Sequence, residues 1–185
     1  MSHRIIPFFA LLIVSLSVFA KGSLDGAKRA AVSPDNEDNT PALQALVDSL
    51  GEAGGGTIRL GVGTYVFRGT VRWRSGVSLE GENVQRTVLK MVGNTNWSLF
   101  IGESTAQGTF APITSVRFEH FTVDGYAMNP KNYITNCKAF NIRPITDAVF
   151  NDLVLRGTPA TSLGVDCLNR VLISNVRVIE GGRLW

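Results

Sequence analysis

Four charged residues recur at places where they could act on a ligand. Arg143 and Asp166 each stand two residues before a segment that opens on an apolar residue, Ile145 and Leu168 respectively. Asp147 and Arg170 each stand two residues after the same starting points. If the two segments lie side by side as neighbouring strands, ~4.8 Å apart, Arg143 faces Asp166 and Asp147 faces Arg170. The position equivalent to Arg143 and Asp166 in an earlier segment is Ala111, and that equivalent to Asp147 and Arg170 is Ser115. A guanidinium beside a carboxylate keeps the carboxylate ionised. That carboxylate is then fit to take a proton, and the guanidinium to grip an anionic group through two hydrogen bonds. A surface charge ladder has the same appearance, each exposed pair being worth ~0–1 kcal/mol. His120, the only histidine besides His3, shares its place in the pattern with Asp152 and Asn175 and reads as a turn residue. Cys137 and Cys167, the only cysteines, lie at different offsets, eight before Ile145 and one before Leu168. They read as two buried free thiols or as a disulfide, and not as a metal site.

The elements that position these groups are legible in Ile113–Gly182. Three segments, ITSVRFEHFTVDG, ITDAVFNDLVLRG and LNRVLISNVRVIE, keep five apolar columns in register. These are Ile113/Ile145/Leu168, Val116/Ala148/Val171, Phe118/Phe150/Ile173, Phe121/Leu153/Val176 and Val123/Leu155/Val178. Steps of two residues have the period of a strand with one buried face. Steps of three require a bend that resets the alternation, at Glu119-His120, Asn151-Asp152 and Ser174-Asn175. The copies begin 32 and then 23 residues apart, as stacked units sharing one core do. The shorter step fits one coil of a parallel β-solenoid. The longer fits the same coil with an excursion near Tyr126–Asn136. The strand period excludes helical repeats.

Towards the N-terminus, residues 1–20 read as a signal peptide: a short basic head, an apolar run over Ile5–Ala20, and small residues before Lys21. Sixteen residues containing Pro7 fall short of the ~20 that span a bilayer, so no membrane attachment is expected after cleavage. The expected location is outside the cytoplasm: secreted, periplasmic or at the cell surface. Without that stretch 17 basic residues face 15 acidic ones, too even a balance for a nucleic-acid binder. Residues 21–39 read as a polar leader and 40–185 as one solenoid domain. In the domain, Leu43, Leu46, Val47 and Leu50 form an apolar stripe on a helix, with Thr40 as N-cap and Pro41 at the first helical position. Such an amphipathic helix would plug the open end of the solenoid. Short strand-like runs follow at Thr57–Leu60, Thr64–Phe67, Thr70–Trp73, Val77–Leu79 and Thr87–Met91, punctuated by glycines.

DNTPALQALVDSLGEAGGGTIRLGVGTYVF and GVSLEGENVQRTVLKM, spread over Asp38–Met91, resemble the opening of the pectate-lyase-like superfamily. FTVDG at Phe121–Gly125 is similar to a motif that ends an early coil there. The resemblance implies an all-β, right-handed parallel β-helix and an exported protein that works on polysaccharide, usually acidic. Lyases and C5-epimerases of uronate polymers remove the proton beside a carboxylate, which takes a cation, a base and an acid. Alginate epimerases resemble the chain at LGVD (Leu163–Asp166), which places their catalytic aspartate on Asp166. Their lysine falls on Lys131, and Arg143 is the cation beside the site. Their pattern continues Asp-Pro-His-Glu, whereas this chain has Asp166-Cys167-Leu168-Asn169, so the histidine is missing. Ca²⁺ occurs in the superfamily, but Asp124, Asp147, Asp152 and Asp166 differ in offset and form no visible cage. The paired aspartates and Gly-His-Gly of polygalacturonases are absent. Trp185 follows the third copy with no closing cap, so the chain reads as a fragment of a longer β-helix. Two functions are consistent with these residues: a lyase- or epimerase-like enzyme on an acidic glycan, and a non-catalytic adhesin or structural β-helix.

Overall fold

The computed structural model describes residues 31–102, 112–129 and 136–182. One helix, α1 (Thr40–Glu52), precedes eleven strands. They are β1 (Gly56–Leu60), β2 (Gly63–Phe67), β3 (Val71–Trp73), β4 (Val77–Gly81), β5 (Thr87–Gly93), β6 (Phe100–Gly102), β7 (Ile113–Met128), β8 (Phe140–Ile142), β9 (Ile145–Arg156), β10 (Leu163–Val165) and β11 (Leu168–Ile179). Every pairing is parallel. One sheet has four strands in the order β10-β8-β6-β3, and the other has seven.

In the seven-stranded sheet β7 joins two ladders. Its first half continues β1-β4, with Leu79 beside Phe118, and its second half continues β2-β5, with Leu89 beside Val123. The chain thus makes successive passes. β1, β2 and β3 form the first, β4, β5 and β6 the second, and the two halves of β7 with β8 the third. In the early passes a loop separates the first two strands. From β7 onward a single residue in the left-handed backbone region replaces that loop: His120 (φ 63°), Asp152 (φ 51°) and Asn175 (φ 52°). Asn and Asp accept this region through local side-chain hydrogen bonding. A second set, Ser115, Asp147 and Arg170, adopts it with φ of 56°, 50° and 52°. Both sets stand outside the paired register. They absorb the three-residue steps, and the apolar alternation resumes on the core side.

The five apolar columns are neighbours in register: Ile113, Ile145 and Leu168 pair across β7, β9 and β11, and the other four columns follow. In β7 and β9 these side chains are buried. In β11 three of these columns are open, with Leu168 49%, Ile173 44% and Val178 54% exposed, while Val171 and Val176 stay partly buried against the core. Among the described residues β11 pairs only with β9, so no strand covers its far side. Trp73, Phe100, Phe118, Phe140 and Phe150 fill the centre between the two sheets, with neighbouring ring centroids 4.9–5.6 Å apart, a range suited to tilted and edge-to-face packing.

α1 covers the first pass. Leu43 and Val47 are fully buried, and Leu46 and Leu50 pack partly buried against the same core. Gln44 treats the edge strand β3 as a partner strand would: its amide donates to the Arg72 carbonyl (3.0 Å) and accepts from the Arg72 N–H (2.7 Å). This satisfies backbone groups that an exposed edge leaves unpaired. The expected N-cap at Thr40 is corrected. Asn39 is the cap residue and Thr40 opens the helix, because the Thr40 hydroxyl accepts from the N–H groups of Arg68 and Gly69 instead. Asn39 makes no side-chain cap bond. Fully buried, it fastens the segment before α1 to β2 through Ser33 and the Val66 carbonyl. The excursion expected near Tyr126–Asn136 does not begin at Tyr126. β7 runs on to Met128, where Ala127 and Met128 pair with Val92 and Gly93, and residues 130–135 lie outside the described residues.

Candidate functional site

Two-residue links join the four-stranded sheet to the seven-stranded one: Arg143-Pro144 between β8 and β9, and Asp166-Cys167 between β10 and β11. Because β8 pairs with β10 and β9 with β11, the links stack. Arg143 Nη1 and Asp166 Oδ2 are 3.7 Å apart, with side chains 59% and 61% exposed. That is ion-pair distance without a hydrogen bond. Two residues into the next strands, Arg170 holds Asp147 through Nε–Oδ1 at 2.5 Å and Nη2–Oδ2 at 2.7 Å. The hydrogen bonds from Arg170 keep the Asp147 carboxyl below its ordinary range. The structure therefore brings together Arg143 with Asp166 and Asp147 with Arg170. Lys131 lies outside the described residues, as does Ala111. Residues 1–30, the expected signal peptide and the start of the leader, lie outside them too.

The cysteines are both free, Cys137 buried and Cys167 exposed on its link, so neither two buried thiols nor a disulfide describes them. Cys137 and Cys167 occupy different places on their passes, and burial pushes the Cys137 thiol up. Among the described residues no three His, Cys, Asp or Glu side chains converge to hold a metal ion.

The corner row carries a constellation that the sequence pattern did not single out. His120 Nδ1 lies 2.9 Å from Asp152 Oδ2, one strand away. His120 also lines a surface groove of about 550 Å³ with Arg59, Gly61, Glu80, Gly81 and Glu82. Arg59 donates to Glu80 at 3.0 Å. Beside the groove Arg117 grips Glu119 at 2.7 and 3.0 Å, and Asn151 lies 3.4 Å from the same carboxylate. The Arg117 hydrogen bonds hold Glu119 below its ordinary value despite its partial burial. The sequence signal was available in one respect, since His120 and Asp152 share a column. What it lacked was the register of β4, which places Glu80 beside Glu119.

No protein-family model matches this chain, and no curated protein sequence does. Solved structures do. A candidate glycosyl hydrolase of Parabacteroides merdae superposes with a TM-score of 0.58 at 14% identity, over 81% of this chain and 71% of its own. The A-module of a mannuronan C-5 epimerase of Azotobacter vinelandii gives 0.59 at 18%, over 82% and 41%. A surface protein and adhesin of Streptococcus pneumoniae gives 0.60 at 18%, over 81% and 39%. All have the pectate-lyase-like β-helix fold. At these identities the likeness is one of fold, and the chain spans less than half the length of the epimerase module and of the adhesin.

Proposed function

We propose that the passes close into a right-handed parallel β-helix and that the protein, exported and cut before Lys21, recognises an acidic polysaccharide along the stacked links. The carrying observation is the Arg143–Asp166 pair, 3.7 Å apart and well exposed on adjacent links. A substrate carboxylate can accept hydrogen bonds from the Arg143 guanidinium with Asp166 as a base beside it. In the lyase- or epimerase-like form of this reading, Asp166 takes the proton next to the substrate carboxylate. The electron pair left behind either expels the neighbouring glycosidic oxygen or is reprotonated from the opposite face. Lys131 is the proposed proton donor. The neighbours that act on mannuronan or are named as glycosyl hydrolases support a polysaccharide ligand.

Non-catalytic binding is the second reading. It is favoured by the residues beside Asp166, Cys167 and Leu168, which supply neither a histidine nor an acid, and by the adhesin among the neighbours. The experiment titrates tetramannuronate and tetragalacturonate into the chain and its Arg143→Ala and Asp166→Ala variants. Parallel assays follow unsaturated uronate and C5 inversion. Binding weakened by Arg143→Ala supports the link face, and turnover abolished by Asp166→Ala supports the enzyme. Binding untouched by either variant rejects the site. N-terminal analysis of exported material tests the cleavage, and an intact Met1 would refute it.

A further inference from the structure

The groove at the corner row differs in charge from the link face. Arg59 is matched by Glu80 and Arg117 by Glu119, each in a hydrogen-bonded pair. The Glu82 carboxylate lines the groove together with His120, whose Nδ1 meets Asp152 Oδ2 at 2.9 Å. Negative charge is therefore in excess whether or not His120 carries a proton. A uronate entering here would set its carboxylate beside that of Glu82, and like charges at close quarters repel. An ammonium group meets the opposite situation.

The walls are built for approach. Gly61 and Gly81 contribute no side chains to the groove. At Gly81 a Cβ would strike the His120 carbonyl, so glycine there lets β4 lie against the corner of β7 and brings Glu80 and Glu82 beside His120. One Glu82 oxygen accepts from the Val62 N–H at 3.3 Å, which steadies the carboxylate and leaves its other oxygen for a ligand. Asp152 occupies Nδ1 of His120, so Nε2 is the ring nitrogen that meets a hydroxyl. Arg59 and Glu80 add a donor and an acceptor along the same wall. The groove thus offers one anionic anchor and several hydroxyl partners in a fixed arrangement.

We propose that this groove is a saccharide subsite for an amine-bearing hexose unit, with Glu82 taking the ammonium group and His120, set by Asp152, taking a hydroxyl. The proposal rests on the glycan-binding reading but concerns a different row of the fold and a different charge class of sugar. Calorimetric titration of the whole chain with a glucosamine tetramer, an N-acetylglucosamine tetramer and spermidine tests it. The glucosamine tetramer is expected to bind. N-acetylation, Glu82→Gln and His120→Asn should each weaken that binding by about tenfold or more, the loss of one charge-assisted contact. Asn is chosen because it accepts the left-handed backbone at position 120, and matching melting curves establish that the variants fold. Equal binding of the acetylated tetramer, equal binding of spermidine, or indifference to both substitutions overturns the proposal. If the uronate tetramers bind through Arg143 and the glucosamine tetramer does not bind, this subsite falls and the link-face reading stands. If no saccharide binds, both fall.

Discussion

Arg170 holds Asp147 with two arms of its guanidinium, at 2.5 and 2.7 Å, although both residues stand outside the strand register in the left-handed backbone region. The conformation aims both side chains away from the core at the same height on adjacent strands. The charged pair and the backbone irregularity are thus one feature. Asp147 titrates below its ordinary value of 3.8 because of these hydrogen bonds. In Arg170→Ala its midpoint should return upward toward that value, as read by carboxyl-carbon NMR over a pH series. An unmoved midpoint would show that the pair does not persist in solution.

Arg143 and Asp166 are well exposed, and solvent screens such pairs to a median of about 0–1 kcal/mol. Their double-mutant cycle should return a coupling no larger than that in urea unfolding. Any large loss of glycan binding in the single variants is then a loss of contact with the ligand. A coupling of several kcal/mol would instead make the pair structural.

Glu119 gives a pH dependence with a definite sign. Its folded-state pKa lies below the ordinary 4.5, chiefly because Arg117 donates to it. The stabilisation is complete above the unfolded value and is lost as pH falls below 4.5 through the folded value. The urea midpoint of the parent should therefore fall more steeply in that acid range than the midpoint of Glu119→Gln. Parallel curves would count against the Arg117–Glu119 pair.

Phe118 touches four other rings of the central stack and is fully buried. Phe118→Ala should cost about 3–5 kcal/mol through lost burial and the cavity left behind, with an unchanged denaturant slope if unfolding remains two-state. A loss under about 1 kcal/mol would mean that the two sheets are not packed through these rings.

At α1 the contrast is between core and surface. Leu43→Ala should cost about 2–5 kcal/mol, since Leu43 is fully buried under the helix. Asp48→Ala removes only the partly exposed pair with Arg74 and should cost less than about 1 kcal/mol. Equal effects in thermal unfolding would show that α1 is held by its charges and not by its apolar stripe.

The apolar columns were legible because each needs only a side-chain type at a fixed offset. Ile113, Ile145 and Leu168 had to share a row if strands stack in parallel, and they do. β3 was found within Thr70–Trp73, but the third strands of the later passes were not legible. β6, β8 and β10 have three residues each, too few to show a period of two. Nor was the exposure of Leu168, Ile173 and Val178, since burial depends on what lies beyond a strand and not on the strand's own pattern.

The sequence alone determined which residues share a column: strand alternation is local, and a three-residue step forces a bend wherever it occurs. It thereby aligned Arg143 with Asp166, Asp147 with Arg170, and His120 with Asp152. Tertiary structure alone decided which aligned residues form close pairs and what else stands beside them. Arg170 closes on Asp147 while Arg143 stays 3.7 Å from Asp166, and Glu80 and Glu82 arrive beside His120 from a strand some forty residues earlier. Offsets along a chain specify rows. Distances and net charge within a row depend on side-chain reach and on the register of strands remote in sequence, and these exist only once the sheets have formed.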